Sequence, residues 1–289
     1  MRGFFLIDKE KGMTSFDVVK IVRKITGEKK VGHSGTLDPM ATGLLLLAVG
    51  EGTKLLEYFV GFDKEYEVKG KFGFFSDTYD SEGKIISGEK MKKPKKDDLR
   101  RIIKKNFTGE VSQIPPKYSA LKVEGKRACD IMRKGGNVEL KPRKVRVDNF
   151  EIIDFEWPLV DFKINCSSGT YIRSLIHDLG QILGCGAYVE NLKRNKIGKF
   201  SLENSVRLKD LSKKVEQNLV SLEEMAGDFD RFDLNDKEFE VLRNGGILKD
   251  KKIVHNKAFM AFHRGKLVGV LENNFDDSGI KIKKLIKLV

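Results

Sequence analysis

A loop that leads into an apolar strand constrains this chain more than any other feature. The segment VGHSGTLDPMATGLLLLAVGEGTK, residues 31–54, places one carboxylate, Asp38, just ahead of the run GLLLLAV. A continuous apolar run of this length is typical of a strand covered on both faces, so the fold must supply a layer on each side. Asp38 is therefore predicted at the mouth of a rigid, buried strand, which suits a reactive group.

Asp38 has two interpretations. Asp before Pro commonly begins a turn, and on composition alone the carboxylate could simply bond its own backbone. The catalytic interpretation draws on the flanking Gly32, Gly35 and Gly43, which permit unusual dihedral angles and close approach of another backbone. It also draws on two polar clusters flanked by apolar residues farther along the chain, DKEYEV and GTYIRSL, which offer partners for the carboxylate.

Several other catalytic and cofactor motifs fail on inspection. G-H-S-G-T lacks the second glycine of a nucleophile elbow, and G-E-G-T-K lacks the spacing of a phosphate-binding loop. The three cysteines form no C-x-x-C pair and share no metal-ligand spacing with the four histidines. The sequence therefore predicts neither a cofactor nor a bound metal.

The charge of the chain predicts its class of partner. The net charge is +13 and the isoelectric point is about 9.4. Such a field favours a polyanion, although a surface merely rich in lysine is the alternative. Because the sequence contains no apolar run of 18 residues, signal peptide or lipid anchor, we expect a cytoplasmic protein that binds nucleic acid rather than a membrane. Basic residues concentrate at 84–105, 122–134 and 141–146.

Periodicity along the chain predicts an α+β fold. Helical spacing predicts a helix over FDVVKIVRKIT, which a Thr-Ser pair precedes as candidate caps and Gly27 follows. GTYIRSLIHDLGQILG predicts a strand end that runs into a helix, with Gly184 as its stop. Residues 209–227, KDLSKKVEQNLVSLEEMAG, predict a further helix. Paired prolines, glycines and basic residues at 110–144 are typical of a functional loop or insertion. Short alternating runs after about residue 230 predict a small β-rich module.

Long motifs in the right order resemble those of the TruB family of tRNA pseudouridine synthases, of the bacterial stand-alone type. GHSGTLDPMATGLLLLAVGEGTK resembles the catalytic motif, and FLIDKEKGMTSFDVV resembles the N-terminal motif. KEYEVKGKFGFFSDTYDSEG resembles the tyrosine motif with its T-D-T-x-D segment, in which Ser76 replaces the usual threonine. PPKYSALKVEGKRACD resembles the RNA-contacting insertion, and SSGTYIRSLIHDLGQILGCGAYVENLKR resembles the arginine motif.

The resemblance implies a fold and a domain organisation. The expected architecture is a pseudouridine synthase catalytic domain at 1–229, built on a long mixed and mainly antiparallel sheet. Its RNA-binding insertion is expected at about 110–144. A PUA-like RNA-binding domain is expected at 230–289.

The resemblance also implies an activity and its residues. The activity is isomerisation of uridine to pseudouridine in the T arm of tRNA, at position 55, with no cofactor and no obligatory protein partner. Asp38 would be the catalytic aspartate, Arg173 would pair with it, and Tyr66 would stack on the flipped-out base and serve as a candidate in proton removal from C5. Contacts with the RNA are expected at five further residues: His33, Tyr171, Leu192, Lys122 and Arg127.

Two alternative functions stay open at this point. A guide-RNA-dependent pseudouridine synthase shares the aspartate motif but takes its specificity from a separate RNA and from protein partners. A non-catalytic RNA-binding or chaperone protein would keep the basic surface without needing Asp38. The complete insertion at 110–144 favours the stand-alone enzyme.

Overall fold

The computed structural model describes residues 1–89, 92–249, 251–253, 258–274 and 278–287. These residues form nineteen strands: β1 (Gly3–Lys9), β2 (Val31–His33), β3 (Thr42–Val49), β4 (Lys64–Phe72), β5 (Phe74–Ser76), β6 (Ile85–Ser87), β7 (Gly109–Gln113), β8 (Lys122–Val123), β9 (Lys126–Arg127), β10 (Arg143–Glu156), β11 (Leu159–Cys166), β12 (Ala187–Ile197), β13 (Phe200–Ser201), β14 (Val206–Arg207), β15 (Asp230–Leu234), β16 (Leu248–Lys249), β17 (Phe259–His263), β18 (Lys266–Asn273) and β19 (Gly279–Leu285). They also form eight α-helices: α1 (Ser15–Thr26), α2 (Leu56–Val60), α3 (Lys96–Asn106), α4 (Ala128–Arg133), α5 (Ile172–Ile182), α6 (Leu208–Leu211), α7 (Leu222–Met225) and α8 (Asp236–Arg243).

A ten-stranded sheet forms the centre of the molecule. Its order is β14-β1-β3-β12-β4-β11-β10-β7, with β2 added beside β3 and β13 beside β12. The pairs β1–β14 and β3–β12 are parallel, and the other pairs are antiparallel. The predicted α+β class with a long mixed, mainly antiparallel sheet is confirmed.

Strand β3 is buried on both faces, as its apolar run predicts. Leu45, Leu47 and Val49 point into a core that also contains apolar side chains of α1, α3 and α5. Leu44 and Leu46 point the other way, into a second core that includes side chains of α7, β17 and β18. The unbroken run of leucines is therefore explained by two apolar layers, one on each side of the sheet.

Two predicted helices form with the expected ends. Thr14 caps α1 in a reciprocal capping box with Asp17, and Gly27 ends the helix in the left-handed conformation. The chain turns out of α5 at Gly184, which also has a positive φ of 75°. Both helices place one apolar face on the central sheet.

The predicted helix at 209–227 is wrong. The segment divides into α6, a short 3₁₀ turn, α7 and a second 3₁₀ turn that begins at Ala226. Val220, in the middle of the segment, exchanges backbone hydrogen bonds with Phe4 at the edge of the sheet, at 2.9 Å in each direction. Pairing with the sheet thus overrides the local helical pattern, and Ser221 then caps α7.

A second sheet of five strands follows from Asp230 onward, in the order β15-β17-β18-β19-β16. It has its own small apolar core beneath α8. The predicted β-rich C-terminal module is confirmed. None of the helices in the described ranges has the length and apolar character needed to cross a bilayer.

Candidate active site

The loop between β2 and β3 carries Asp38, and the start of α1 fixes it. Ser15 Oγ donates to the carbonyl of Leu37 at 3.1 Å and accepts from its N–H at 2.8 Å. The Asp38 carbonyl accepts from the N–H of Ala41 at 3.0 Å, which closes the turn. Backbone groups and Ser15 thus hold the Asp–Pro turn, while the Asp38 carboxylate lines a cavity.

That cavity has a volume of about 390 Å³, within the range of small-molecule sites. Its walls come from the β2–β3 loop, from β4 and β12, from the start of α5 and from residues 119–121 of the insertion. It brings together five of the residues that the sequence predicts: Asp38, Tyr66, Tyr171, Arg173 and Leu192.

Arg173 connects Asp38 to a second acid. Its Nε lies 3.0 Å from Asp38 Oδ2, and its Nη1 lies 2.9 Å from Asp80 Oδ2. Nη1 also donates to the carbonyl of Thr78 at 2.9 Å, and Nη2 donates to the carbonyl of Tyr118 at 3.0 Å. The Arg173 side chain is only 4% exposed, so these contacts fix its direction.

The environment of Asp38 pulls its pKa in two directions. Burial raises the pKa of the carboxyl above its ordinary value, and the Asp80 carboxylate adds to the rise. The Arg173 guanidinium acts as the main opposing influence and lowers the pKa, with help from Lys9 and Arg194. The net direction is upward, so Asp38 ionises at a higher pH than an exposed aspartate while keeping a cation in contact.

Tyr66 lies on β4 directly opposite Arg194 on β12. The Tyr66 side chain is 8% exposed, and burial raises the pKa of its hydroxyl. Arg194 is 1% exposed, and its Nε donates to the carbonyl of Leu44 at 2.8 Å. Its Nη2 donates to the carbonyl of Gly35 at 3.1 Å. Arg194 therefore supports both the tyrosine wall and the aspartate loop.

Gly43 makes the parallel pairing of β3 with β12 possible. Its φ is +99°, and a Cβ added there would lie 2.4 Å from the carbonyl oxygen of Arg194. Gly35 also has a positive φ, of 153°, whereas Gly32 does not. The predicted close approach of another backbone thus occurs at Gly43.

The sequence analysis missed Asp80, Lys64 and Arg194 as neighbours of the site. Strand alternation could have found Arg194, since it stands two residues after Leu192 and faces the same side of β12. Lys64 lines the cavity and donates to the carbonyls of Val60 and Phe62 at 2.6 and 2.5 Å. Burial lowers the pKa of Lys64 to about 8.

Three predicted residues stand outside the cavity lining. His33 lies on β2, where its Nδ1 accepts from the N–H of Gly35 at 3.3 Å, and burial lowers the pKa of its imidazole. Lys122 and Arg127 are exposed on the β8–β9 hairpin, immediately after the lining residue Leu121. The expected contacts of these three residues with RNA remain predictions.

Solved structures with the same fold include a ribonucleoprotein bound to a substrate RNA. The chain aligns over 99% of its length with 85% of a chain in "Structure of H/ACA RNP bound to a substrate RNA containing 2'-deoxyuridine", with a TM-score of 0.75 and 21% identity. A chain of "Crystal Structure of a Cbf5-Nop10-Gar1 Complex" aligns with a TM-score of 0.74 and 23% identity, over 99% of this chain and 85% of that one. At these identities the likeness shows the fold.

Sequence comparison is more specific. The family profile "TruB family pseudouridylate synthase (N terminal domain)" matches residues 23–172, and "tRNA pseudouridylate synthase B C-terminal domain" matches residues 173–227. A relative from Clostridium tetani, "tRNA pseudouridine synthase B", is 40% identical over 99% of this chain and 100% of its own length. Its namesake from Clostridium acetobutylicum is 38% identical over the same shares. The chain belongs to the TruB family of pseudouridylate synthases.

Proposed function

We propose that this protein isomerises uridine to pseudouridine in tRNA, with Asp38 as the reacting carboxylate. The observation that carries the proposal is the contact of 3.0 Å between Arg173 Nε and Asp38 Oδ2, in a cavity that Tyr66 also lines. Relatives similar over nearly the whole chain and named tRNA pseudouridine synthase B support both the reaction and the substrate.

The chemistry suits a single anionic group. Pseudouridine formation breaks the bond from C1′ to N1 and forms a bond from C1′ to C5; C5 loses its proton and N1 ends protonated. No atom and no electron is gained or lost, so the conversion requires no cofactor. An ionised aspartate has three ways to act: addition to C6, attack at C1′, or removal of a sugar proton. Each of them requires Asp38 to be charged, and Arg173 favours that state.

The substrate base must leave its stack to reach Asp38. Extrusion of a nucleotide costs a few kcal/mol, and stacking on an aromatic face returns roughly 1–3 kcal/mol per base. Tyr66, Tyr171 and Leu192 supply aromatic and apolar surface in the cavity wall. We assign Tyr66 to stacking on the base and to the candidate role in proton removal from C5.

The surface beside the cavity suits a folded RNA. The β8–β9 hairpin exposes Lys122, Lys126 and Arg127, and the net charge of the chain is +13. RNA is recognised largely through shape and phosphate contacts, which such a surface provides. We propose the T arm of tRNA as the bound element and position 55 as the target, with His33 beside the place that the base vacates.

We propose two domains, 1–229 for catalysis and 230–289 as a PUA-like RNA-binding domain. The second sheet begins at Asp230, which supports this boundary. We also propose that the enzyme acts in the cytoplasm, where tRNA is found, and acts without an obligatory protein partner.

The test is to incubate the purified protein with an unmodified tRNA transcript, without any guide RNA, and to map pseudouridine by carbodiimide treatment and primer extension. We expect one stop, at position 55. A stop elsewhere would reject the proposed target. No modification without a guide RNA would favour the guide-dependent alternative if a guide restores it, and the non-catalytic one if it does not.

A further inference from the structure

Tyr79 adopts a backbone conformation that is uncommon for a bulky residue. Its φ is +64°, in the left-handed region that glycine usually occupies. The other described non-glycine residues with positive φ, Glu124 and Arg264, each precede a glycine in a tight hairpin turn, where this conformation is expected. Tyr79 is followed by no glycine: it ends a turn in which its N–H donates to the carbonyl of Ser76 at 3.2 Å, in the segment SDTYD between β5 and β6.

The residues on each side of Tyr79 both hold Arg173. The carbonyl of Thr78 and the Oδ2 of Asp80 each accept from Arg173 Nη1 at 2.9 Å. The carbonyl of Tyr79 itself accepts from the N–H of Val189 at 3.0 Å, which ties the turn to β12. The left-handed residue thus lies between the two acceptors of the guanidinium that contacts Asp38.

The Tyr79 ring stacks on an aromatic ring from the helix that carries Arg173. Its centroid lies 3.7 Å from that of His177, with an interplanar angle of 12°. His177 is four residues after Arg173 on α5, and therefore on the same helix face. The His177 Nδ1 is buried and has no hydrogen-bond partner, and burial lowers the pKa of the ring to about 4, so the ring is a neutral packing surface at physiological pH.

We propose that Tyr79 and His177 are positioning residues for the catalytic pair. Their stack clamps the Thr78–Asp80 turn against α5 and so keeps Arg173 directed at Asp38. Neither ring lines the cavity, so the effect is exerted through Arg173 and not through contact with the nucleotide. This inference rests on the proposed role of Asp38.

Three substitutions of Tyr79 separate the ring from the backbone. Tyr79→Phe keeps the stack and is expected to retain the kcat of the wild type. Tyr79→Ala removes the ring and leaves a strained backbone, and kcat is expected to fall by about 100-fold with KM nearly unchanged, because small misplacements in an active site have effects of that size. Tyr79→Gly relieves the backbone strain without restoring the ring, so its kcat should lie between those of Tyr79→Phe and Tyr79→Ala. Full activity in Tyr79→Ala or in Tyr79→Gly would overturn the proposal.

A second pair of variants tests whether the two rings act together. His177→Ala should reduce kcat as Tyr79→Ala does, and the double variant should be no slower than either single one. Phe155→Ala is the matched control, because it removes a half-buried ring that does not line the cavity. The centroid of that ring lies 6.4 Å from the centroid of the Trp157 ring, on which it packs. We expect it to change thermal stability without changing kcat. Additive losses of kcat in the double variant would contradict a shared role.

A readout that does not depend on turnover is the titration of the Asp38 carboxyl carbon, followed by NMR and assigned with Asp38→Asn. Tyr79→Ala should raise the pKa of Asp38 further, since Arg173 then opposes burial less well. Tyr79→Phe should leave the titration unchanged. If the wild type forms no pseudouridine, the proposed function fails, but this titration still decides whether the stack positions Arg173. An unchanged Asp38 titration in Tyr79→Ala overturns the inference.

Discussion

At the scale of single residues, Asp38 combines a half-buried position with a cation in contact. Its side chain is 32% exposed to the cavity, and Arg173 keeps it paired from the protein side. Because the net shift of its pKa is upward, the ionised carboxylate that the chemistry needs lowers the stability of the folded protein. Arg173 also forms an ion pair with a second acid, Asp80, whether or not Asp38 is charged.

We therefore expect Asp38→Asn to be more stable than the wild type at neutral pH. A raised pKa favours folding below the ordinary value of 3.8, and this contribution is lost as the pH rises through the higher folded value. The advantage of the variant should thus be absent at low pH and grow as the wild-type carboxyl ionises. Urea unfolding at a series of pH values measures it.

Asp17→Asn provides the control of opposite sign. The Thr14 hydroxyl lowers the pKa of Asp17, so its ionised form stabilises the fold at neutral pH and that contribution is lost on acidification. The variant should be less stable than the wild type at neutral pH and should approach it at low pH. The same sign for both variants would contradict this account.

Tyr66 is expected to act through its ring and its hydroxyl separately. Tyr66→Phe should keep the affinity for tRNA and lower turnover if the hydroxyl takes part in proton removal. Tyr66→Ala should lose turnover and weaken tRNA binding as well, by an amount that corresponds to roughly 1–3 kcal/mol of stacking. Equilibrium binding and single-turnover rates measured on the same transcript separate the two effects. Full activity in both variants would refute a role for Tyr66.

At the scale of elements, the parallel contact of β3 with β12 joins the Asp38 loop to the wall of the cavity. Gly43 and Arg194 are paired in the register of these strands. The Arg194 guanidinium in turn holds the carbonyls of Gly35 and Leu44. A change in the spacing of these two strands is expected to disturb the site as well as the sheet.

We predict that Gly43→Ala destabilises the fold more than Gly27→Ala does. Both positions have a positive φ, which costs a non-glycine residue roughly 1–2 kcal/mol. A Cβ at Gly27 meets nothing within 4 Å, whereas one at Gly43 would lie 2.4 Å from the Arg194 carbonyl oxygen. Urea unfolding should therefore show the larger loss for Gly43→Ala, and its kcat should fall too. Equal losses would show that β12 moves away at little cost.

Some elements could be predicted from the sequence because local chemistry determined them. The capping residues of α1 and the unbroken leucine run of β3 depend on a few neighbouring side chains. The helix predicted at 209–227 failed because Val220 pairs with Phe4, which lies more than 200 residues away in the chain. Asp38, Tyr66 and Arg173 were found by resemblance to a family. Arg194 shares a strand face with Leu192, which alternation could have indicated, but its contacts with Gly35 and Leu44 depend on the pairing of distant strands.

At the scale of the whole molecule, the two sheets share an apolar core. Leu44 and Leu46 of β3 pack in one cluster with Met260, Leu267 and other apolar side chains of the C-terminal sheet. A basic chain that binds RNA could use such a connection to hold both units in a fixed relation. A substitution that destabilises one sheet is therefore expected to destabilise the other.

Met260→Ala tests this coupling. Both Met260 and Val268 are fully buried, but Met260 belongs to the shared cluster and Val268 to the separate core of the C-terminal sheet. We expect Met260→Ala to cost about 2–5 kcal/mol and to reduce the hydrogen-exchange protection of β3 as well as β17. Val268→Ala should reduce protection mainly in the C-terminal sheet. Unchanged protection of β3 in Met260→Ala would show that the sheets unfold independently.

The most direct test of the central claim is tritium release from tRNA labelled at C5 of uridine, since bond formation at C5 expels that hydrogen. The wild type is expected to release tritium from one uridine per tRNA. Asp38→Asn should lower the single-turnover rate by at least about 100-fold while its affinity for tRNA stays within severalfold. Release by Asp38→Asn at a rate close to that of the wild type would contradict the assignment of Asp38 as the reacting group.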